Sequence, residues 1–364
     1  IKVDSLTDAD ADADADADAQ IGGDSIVGMV NIDKVVVDGK ATAKSVKQES
    51  QSFWKMARHI SNRGLNTLLM IVVAICITGV INRTRALLAG RKGIRFFQHI
   101  YNVRLLLRKG SVYSPTTSIL FRIAPCVYLG AVMVAFLFIP VADLWPAISF
   151  QGDIILVAYL LALSRVAIVL AALDTGSSFE GMGAAREALY GALIEPALMI
   201  GFATLAMFCG YTSFADIFES EQSFNLHLTI VMVLTAYLFV KITFVESGRV
   251  PVDDPRTHLE LTMIHEVMCL DYSGIGMGMI HIAGWIKTAC FSMIAANAIV
   301  ATCCFHWWVA VPLAILLTGL SVGVVESTQA RNKLVRNTTF IVTISALAAL
   351  IFFIGYLLQL DINI

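Results

Sequence analysis

Ile154-Ile155-Leu156-Val157-Ala158-Tyr159-Leu160-Leu161-Ala162-Leu163-Ser164-Arg165-Val166-Ala167-Ile168-Val169-Leu170-Ala171-Ala172-Leu173 is a run of twenty residues in which Arg165 is the only charge. A helix rises about 1.5 Å per residue, so such a run crosses the roughly 30 Å hydrocarbon core of a bilayer with its backbone N–H and C=O groups bonded within the segment. Seven further runs of the same character lie near Leu65–Ile81, Ile119–Ile139, Leu189–Cys209, Leu226–Val245, Ile275–Val300, Trp307–Val325 and Thr338–Leu358. Hydrophobic residues make up 57% of the chain and charged ones 15%, with a mean hydropathy of +0.74. That balance excludes a soluble globular domain. An all-α polytopic membrane protein of about eight transmembrane helices is expected.

Basic residues hold short loops on the cytoplasmic side of a membrane. Arg83, Arg85, Arg91, Lys92, Arg95, Arg104, Arg108, Lys109, Arg186, Arg249, Arg256, Arg331, Lys333 and Arg336 all fall after odd-numbered spans. The opposite loops, around Asp143–Asp153, Asp216–Phe224 and Ala301–His306, hold no Lys or Arg. The odd-numbered loops are therefore expected inside and both termini outside.

Residues 1–60 are of another kind, with six consecutive Asp-Ala pairs from Asp8 to Ala19. A tract that repels itself and has nothing apolar to bury reads as a disordered tail, leaving 61–364 as the membrane domain. The seven cysteines lie in or beside apolar runs without C-x-x-C spacing, so no metal or cofactor is expected in this chain itself. Nor is a nucleic-acid partner.

Between the first two spans, Arg91–Lys109 places Phe97, Ile100, Tyr101, the stem of Arg104 and Leu107 at intervals of three and four. That spacing predicts a basic amphipathic helix lying along the lipid surface, either as an anchor or as one wall of a ligand entrance.

Ionisable groups inside a membrane cost about 2.5 kcal/mol or more each and call for a partner or a role. Arg165, Glu195 beside Pro196, Lys241 and Lys287 occupy four different spans, which suggests an internal polar path; a single Arg165–Glu195 packing pair is the alternative. The densest polar cluster is Glu246-Ser247-Gly248-Arg249-Val250-Pro251-Val252-Asp253-Asp254-Pro255-Arg256-Thr257-His258-Leu259-Glu260-Leu261-Thr262-Met263-Ile264-His265-Glu266. Pro251 and Pro255 hold its first half extended, and Asp254-Pro255-Arg256-Thr257 is expected to start a short helix with His258, Thr262 and His265 on one face. Clustered carboxylates next to imidazoles are the chemistry of a proton relay, with a solvated loop as the plainer alternative. His265-Glu266-Val267-Met268-Cys269 ends in Cys where a zinc peptidase needs His, and Gly274-Ile275-Gly276-Met277-Gly278 follows no strand, so neither reads as a metal or dinucleotide motif.

Four stretches carry a resemblance. Gly90-Arg91-Lys92-Gly93-Ile94-Arg95-Phe96-Phe97-Gln98 is similar to G-R-x-G-P-R-x-x-Q, with Ile94 in place of proline. Leu173-Asp174-Thr175-Gly176-Ser177-Ser178-Phe179-Glu180-Gly181-Met182-Gly183-Ala184-Ala185-Arg186-Glu187 resembles L-D-T-G-S-x-F-x-x-x-G-A-x-R-E, and Glu195-Pro196 follows. Glu246-Ser247-Gly248-Arg249-Val250-Pro251-Val252-Asp253, Glu260-Leu261 and Asp271-Tyr272-Ser273-Gly274 resemble E-x-x-R-x-P-F-D, E-x-E-L and E-Y-S-G, with Asp271 in place of glutamate. The family is that of the complex I membrane subunit that roofs the quinone chamber, together with its counterparts in energy-converting nickel-iron hydrogenases and formate hydrogenlyases. The L-D-T-G-S run and the His-bearing loop lean toward the hydrogenase branch.

That resemblance implies a non-catalytic membrane anchor in a prokaryotic cytoplasmic membrane. It implies partners as well: a large subunit with a nickel-iron centre, a small iron-sulfur subunit and antiporter-like membrane subunits, with a quinone as an optional ligand. Glu246, Asp253, Asp254, Glu260, His265 and Glu266 are then the expected ion-coupling loop, Glu187 and Glu195 the start of a lateral path, and Arg186 and Arg249 the partners that position these carboxylates. A quinone-reducing complex I anchor is the runner-up. A stand-alone secondary transporter would show internal repeats and mid-membrane broken helices, and the two halves of this sequence show no repeat.

Overall fold

In a computed structural model of the chain, residues 61–219, 226–253, 263–303, 307–329 and 334–362 are described. Eight helices among them are long and apolar enough to cross a membrane: α1 (Ser61–Leu88), α3 (Ile119–Leu137), α4 (Asp153–Asp174), α5 (Ser178–Cys209), α7 (Leu226–Glu246), α8 (Gly274–Cys303), α9 (Trp307–Thr328) and α10 (Leu334–Ile362). Two short helices, α2 (Gln98–Leu106) and α6 (Phe214–Glu219), complete the set. The chain is a multi-pass membrane protein. The Asp-Ala tract and the rest of residues 1–60 lie outside the described residues.

Lipid is as apolar as leucine, so burial of hydrocarbon does little to hold such helices together, and buried polar side chains do more. Asn297 of α8 clamps the turn after α3, donating to the Pro140 carbonyl at 2.7 Å and accepting from the Ala142 N–H at 3.1 Å. Asn66 of α1 donates to the neighbouring Ile139 carbonyl at 3.1 Å. The hydroxyls of Ser292 on α8 and Thr318 on α9 are hydrogen-bonded at 2.6 Å. Interhelical bonds of this kind contribute on average about 0.6 kcal/mol each.

The amphipathic helix is only nine residues long, Gln98–Leu106, and its bundle-facing residues are His99 and Val103, His99 lying edge-on to Trp285 of α8 with ring centroids 4.7 Å apart. Phe97 and Tyr101 are exposed on its outer side, as an apolar face laid along lipid requires, whereas Leu107 lies close to Gly278 of α8. The short helix expected to start at Asp254 lies outside the described residues; from Met263 the chain runs as an irregular turn to Glu266, and Val267–Cys269 make one turn of 3-10 helix.

The most consequential feature is where α7 stops. Its last residue, Glu246, meets Arg165 near the middle of α4 and Lys287 near the middle of α8, so the chain leaves the helix while still inside the bundle. Non-helical backbone at that depth survives only if protein satisfies it. Asn337 of α10 donates to the Val252 carbonyl at 2.6 Å, Asp253 accepts from the Ile264 and His265 N–H groups at 3.0 Å each, and Glu180 of α5 accepts from the Asp271 N–H at 2.9 Å. Gly183 of α5 makes the close approach possible, since a methyl there would sit 3.1 Å from both the Ile264 carbonyl and the Met268 side chain.

Candidate functional site

Arg165 lies at the centre of the site. Its Nε is 3.2 Å from Glu187 and its Nη1 2.7 Å from Glu195, both on α5, while Nη2 bonds Glu246 at the end of α7. Lys287 of α8 approaches the other oxygen of Glu246 at 2.5 Å. Gly191 leaves the room for this: a Cβ at that position would fall 2.6 Å from Arg165 Nη1. Arg165, Glu187, Glu246 and Lys287 are buried, whereas the Glu195 side chain is 41% exposed on the flank of the bundle.

His265 joins this cluster to the segment after α7. Its Nε2 is 3.4 Å from Glu187, and its Nδ1 3.6 Å from Asp253. Burial alone would lower the imidazole pKa, but Glu187 and Asp253 outweigh it, so the group sits above its ordinary value near 6.5; the Lys287 charge opposes them weakly. Burial would raise the Asp253 carboxyl, yet the His265 ring and the two N–H donors hold it below the usual carboxylate range. Arg165, Glu187, Glu246, Asp253, His265 and Lys287 all border one cavity of about 390 Å³, whose apolar wall includes Ile168, Met277 and Ile280.

The latch between His265 and its two carboxylates has a definite pH window. The raised His265 pKa makes its contribution complete below about pH 6.5, and that contribution fades as pH rises through the folded value. The depressed Asp253 pKa makes its share complete above the unfolded carboxylate value, and that share fades as pH falls through the folded one. Gly248, at φ +59°, faces the ring, and a Cβ there would lie 2.7 Å from His265 Nδ1. Gly248→Ala is therefore expected to loosen the 247–266 segment at neutral pH, and His265→Gln to abolish its opening with alkali, both read as protease or hydrogen-exchange sensitivity. Unchanged pH dependence in His265→Gln sinks the latch.

Seven of the ten residues singled out from sequence, Glu187, Glu195, Glu246, Arg249, Asp253, His265 and Glu266, gather at this cluster and cavity. Asp254 and Glu260 lie outside the described residues. Arg186 and Arg249 take other partners than expected: Arg186 donates to the Met263 carbonyl at 3.1 Å, and Arg249 pairs with Glu326 of α9 at 3.3 Å. The guanidinium that answers Glu187, Glu195 and Glu246 is that of Arg165, which is correctly placed because it projects from mid-helix into the bundle. The same geometry replaces the simple Arg165–Glu195 pair with a three-carboxylate junction. Glu326, which also holds Arg85 of α1 at 3.1 Å, was not legible from sequence, because a carboxylate at the end of an apolar run reads as a loop residue.

A bundle of eight membrane-spanning helices around a buried ion cluster and a half-open cavity defines a membrane subunit with internal charge chemistry. The chain belongs to the NADH dehydrogenase family, whose pattern it matches over residues 63–360. It is 31% identical over 215 residues to formate hydrogenlyase subunit 4 of Escherichia coli (strain K12), covering 59% of this chain and 69% of that protein. To hydrogenase-4 component C of the same organism it is 28% identical over 276 residues, covering 73% and 86%. Among solved structures it resembles a chain of the membrane-bound sulfane sulfur reductase, an archaeal respiratory membrane complex, with a TM-score of 0.63 at 20% identity over 81% of this chain and 99% of that one, a likeness of fold.

Proposed function

We propose that the chain is the membrane anchor and ion-coupling subunit of an energy-converting, hydrogenase-like complex of the formate hydrogenlyase type, in a prokaryotic cytoplasmic membrane. The names of its two Escherichia coli relatives, components of formate hydrogenlyase and of hydrogenase-4, support that class. In this reading a large subunit with a nickel-iron centre and a small iron-sulfur subunit dock on the face that carries the basic loops, and antiporter-like subunits stand alongside in the membrane.

The observation that carries the proposal is the Arg165 cluster. Five ionisable groups inside one membrane bundle are expensive, and apolar residues would pack the same space at lower cost. Two cations, Arg165 and Lys287, face three carboxylates, Glu187, Glu195 and Glu246, which leaves room for one proton or sodium ion to balance the charge. His265, held ready to carry a proton, touches Glu187 on one side and the segment after α7 on the other. A change of charge in the docked subunits that shifts this segment alters the His265–Glu187 contact, and an ion then passes by Arg165 to Glu195 at the flank.

The test uses the intact complex in sealed vesicles, with an artificial electron donor, with and without sodium, and with a protonophore. Ion uptake proportional to the electrons delivered supports the reading, and the sodium dependence identifies the ion. Electron transfer with no uptake of either ion overturns it. In whole cells, a membrane-impermeant maleimide should label Thr212→Cys and spare Ser114→Cys, both exposed positions, if the basic loops face the cytoplasm.

A further inference from the structure

Lys241 is an ammonium inside a membrane helix, half-buried, five residues before the end of α7. It shares the outer stripe of that helix with Leu226, Ile230, Val233 and Tyr237, all exposed. Its Nζ lies over two rings, 5.3 Å from the centroid of Tyr237 one turn back and 5.8 Å from that of Phe340 on α10, and no carboxylate pairs with it among the described residues. Lysines near helix ends normally reach outward to the interface. This one does the reverse: helix geometry tilts its stem toward the N-terminus, so the charge is directed along the hydrocarbon zone, away from the nearer end of α7. That end is itself buried at Glu246.

We propose that the α7 stripe ending at Lys241, bordered by Phe340 of α10, is a docking surface for a membrane-spanning helix of another subunit that presents an Asp or Glu to the lysine. The apolar residues match the partner's lipid-like surface, and the ammonium supplies register, because a carboxylate one turn too high or too low leaves both charges unpaired in hydrocarbon. A lipid phosphate is the poorer fit, since headgroups lie at the interface and Lys241 points from it. The inference rests on the reading that the chain works within a multi-subunit membrane complex.

Tyr237→p-benzoylphenylalanine, irradiated in native membranes, places a photoreactive ketone beside the lysine. The expected product is a cross-link to a spanning segment of another subunit, with Asp or Glu within one turn of the attachment point. Adducts only with lipid, with an acid-free segment or with this chain's own residues 254–262 overturn the proposal. In parallel, Lys241→Met should lose that subunit on mild detergent extraction while keeping the peripheral subunits, with recovery of the subunit down tenfold or more, and Lys241→Arg should retain it. Full retention by Lys241→Met overturns the surface but leaves the complex intact, whereas a parent chain that purifies alone overturns the multi-subunit reading as well.

Discussion

Arg165→Met is expected to leave little assembled complex, and what remains should melt well below the parent. The substitution keeps the length and apolar stem of the side chain but removes the one group among the described residues that touches Glu187, Glu195 and Glu246 together. Glu246 then keeps Lys287 and Glu187 keeps the His265 imidazole, but no cation joins the three carboxylates. Stripping one partner from a buried ion pair costs about 3–5 kcal/mol, and Glu187 and Glu246 qualify fully; the half-exposed Glu195 adds less because solvent or a neighbour can screen it. Arg165→Lys restores the charge but offers a single point where a planar fork is needed, so it should fall between the two. Thermal denaturation of the purified complex, with subunit content as the control, measures both. An Arg165→Met complex that melts with the parent would mean that the carboxylates are balanced by something other than this guanidinium.

Glu246→Gln should behave differently: assembly and electron transfer persist while ion uptake per electron collapses. Glutamine keeps the size and a hydrogen-bonding carbonyl for Arg165 and Lys287 but cannot change protonation or carry charge. The two cations are then matched by two carboxylates, and the vacancy for a transported ion closes. A fall of about tenfold corresponds to only about 1.4 kcal/mol in occupancy of the site, well within what the loss of one buried charge delivers. The decisive comparison is ion uptake divided by electron flux in the same vesicles. Normal coupling in Glu246→Gln would reduce the cluster to a packing device.

The spans were readable because bilayer thickness fixes their length and hydrocarbon fixes their composition: Ile119–Ile139 became Ile119–Leu137, and Leu226–Val245 became Leu226–Glu246. α5 was the exception, beginning at Ser178 rather than near Leu189, because its first turns hold Glu180, Arg186 and Glu187, which interrupt hydropathy yet find partners inside the protein. Burial of Glu187 against Arg165 is a tertiary fact with no local periodicity to announce it. The same holds for Arg249, whose neighbours in sequence are carboxylates but whose partner, Glu326, lies 77 residues away. Intramembrane charges marked which residues mattered; only the packing of α4, α5, α7 and α8 showed how they pair.

Two glycines of α9 give the bundle an internal asymmetry. A methyl at Gly319 would sit 2.9 Å from Val80 of α1, and one at Gly323 would overlap the hydroxyl of Thr84, so the two backbones lie almost in contact. Glu326, one turn further along, then grips Arg85 of the same helix. Helices meshed this closely cannot slide along one another without collision, so α1 and α9 would be the fixed partners in any rearrangement around the cavity. Under the proposed coupling, movement would fall instead to non-helical backbone such as the described chain beyond Glu246, whose hydrogen bonds can be exchanged one at a time without unwinding a turn.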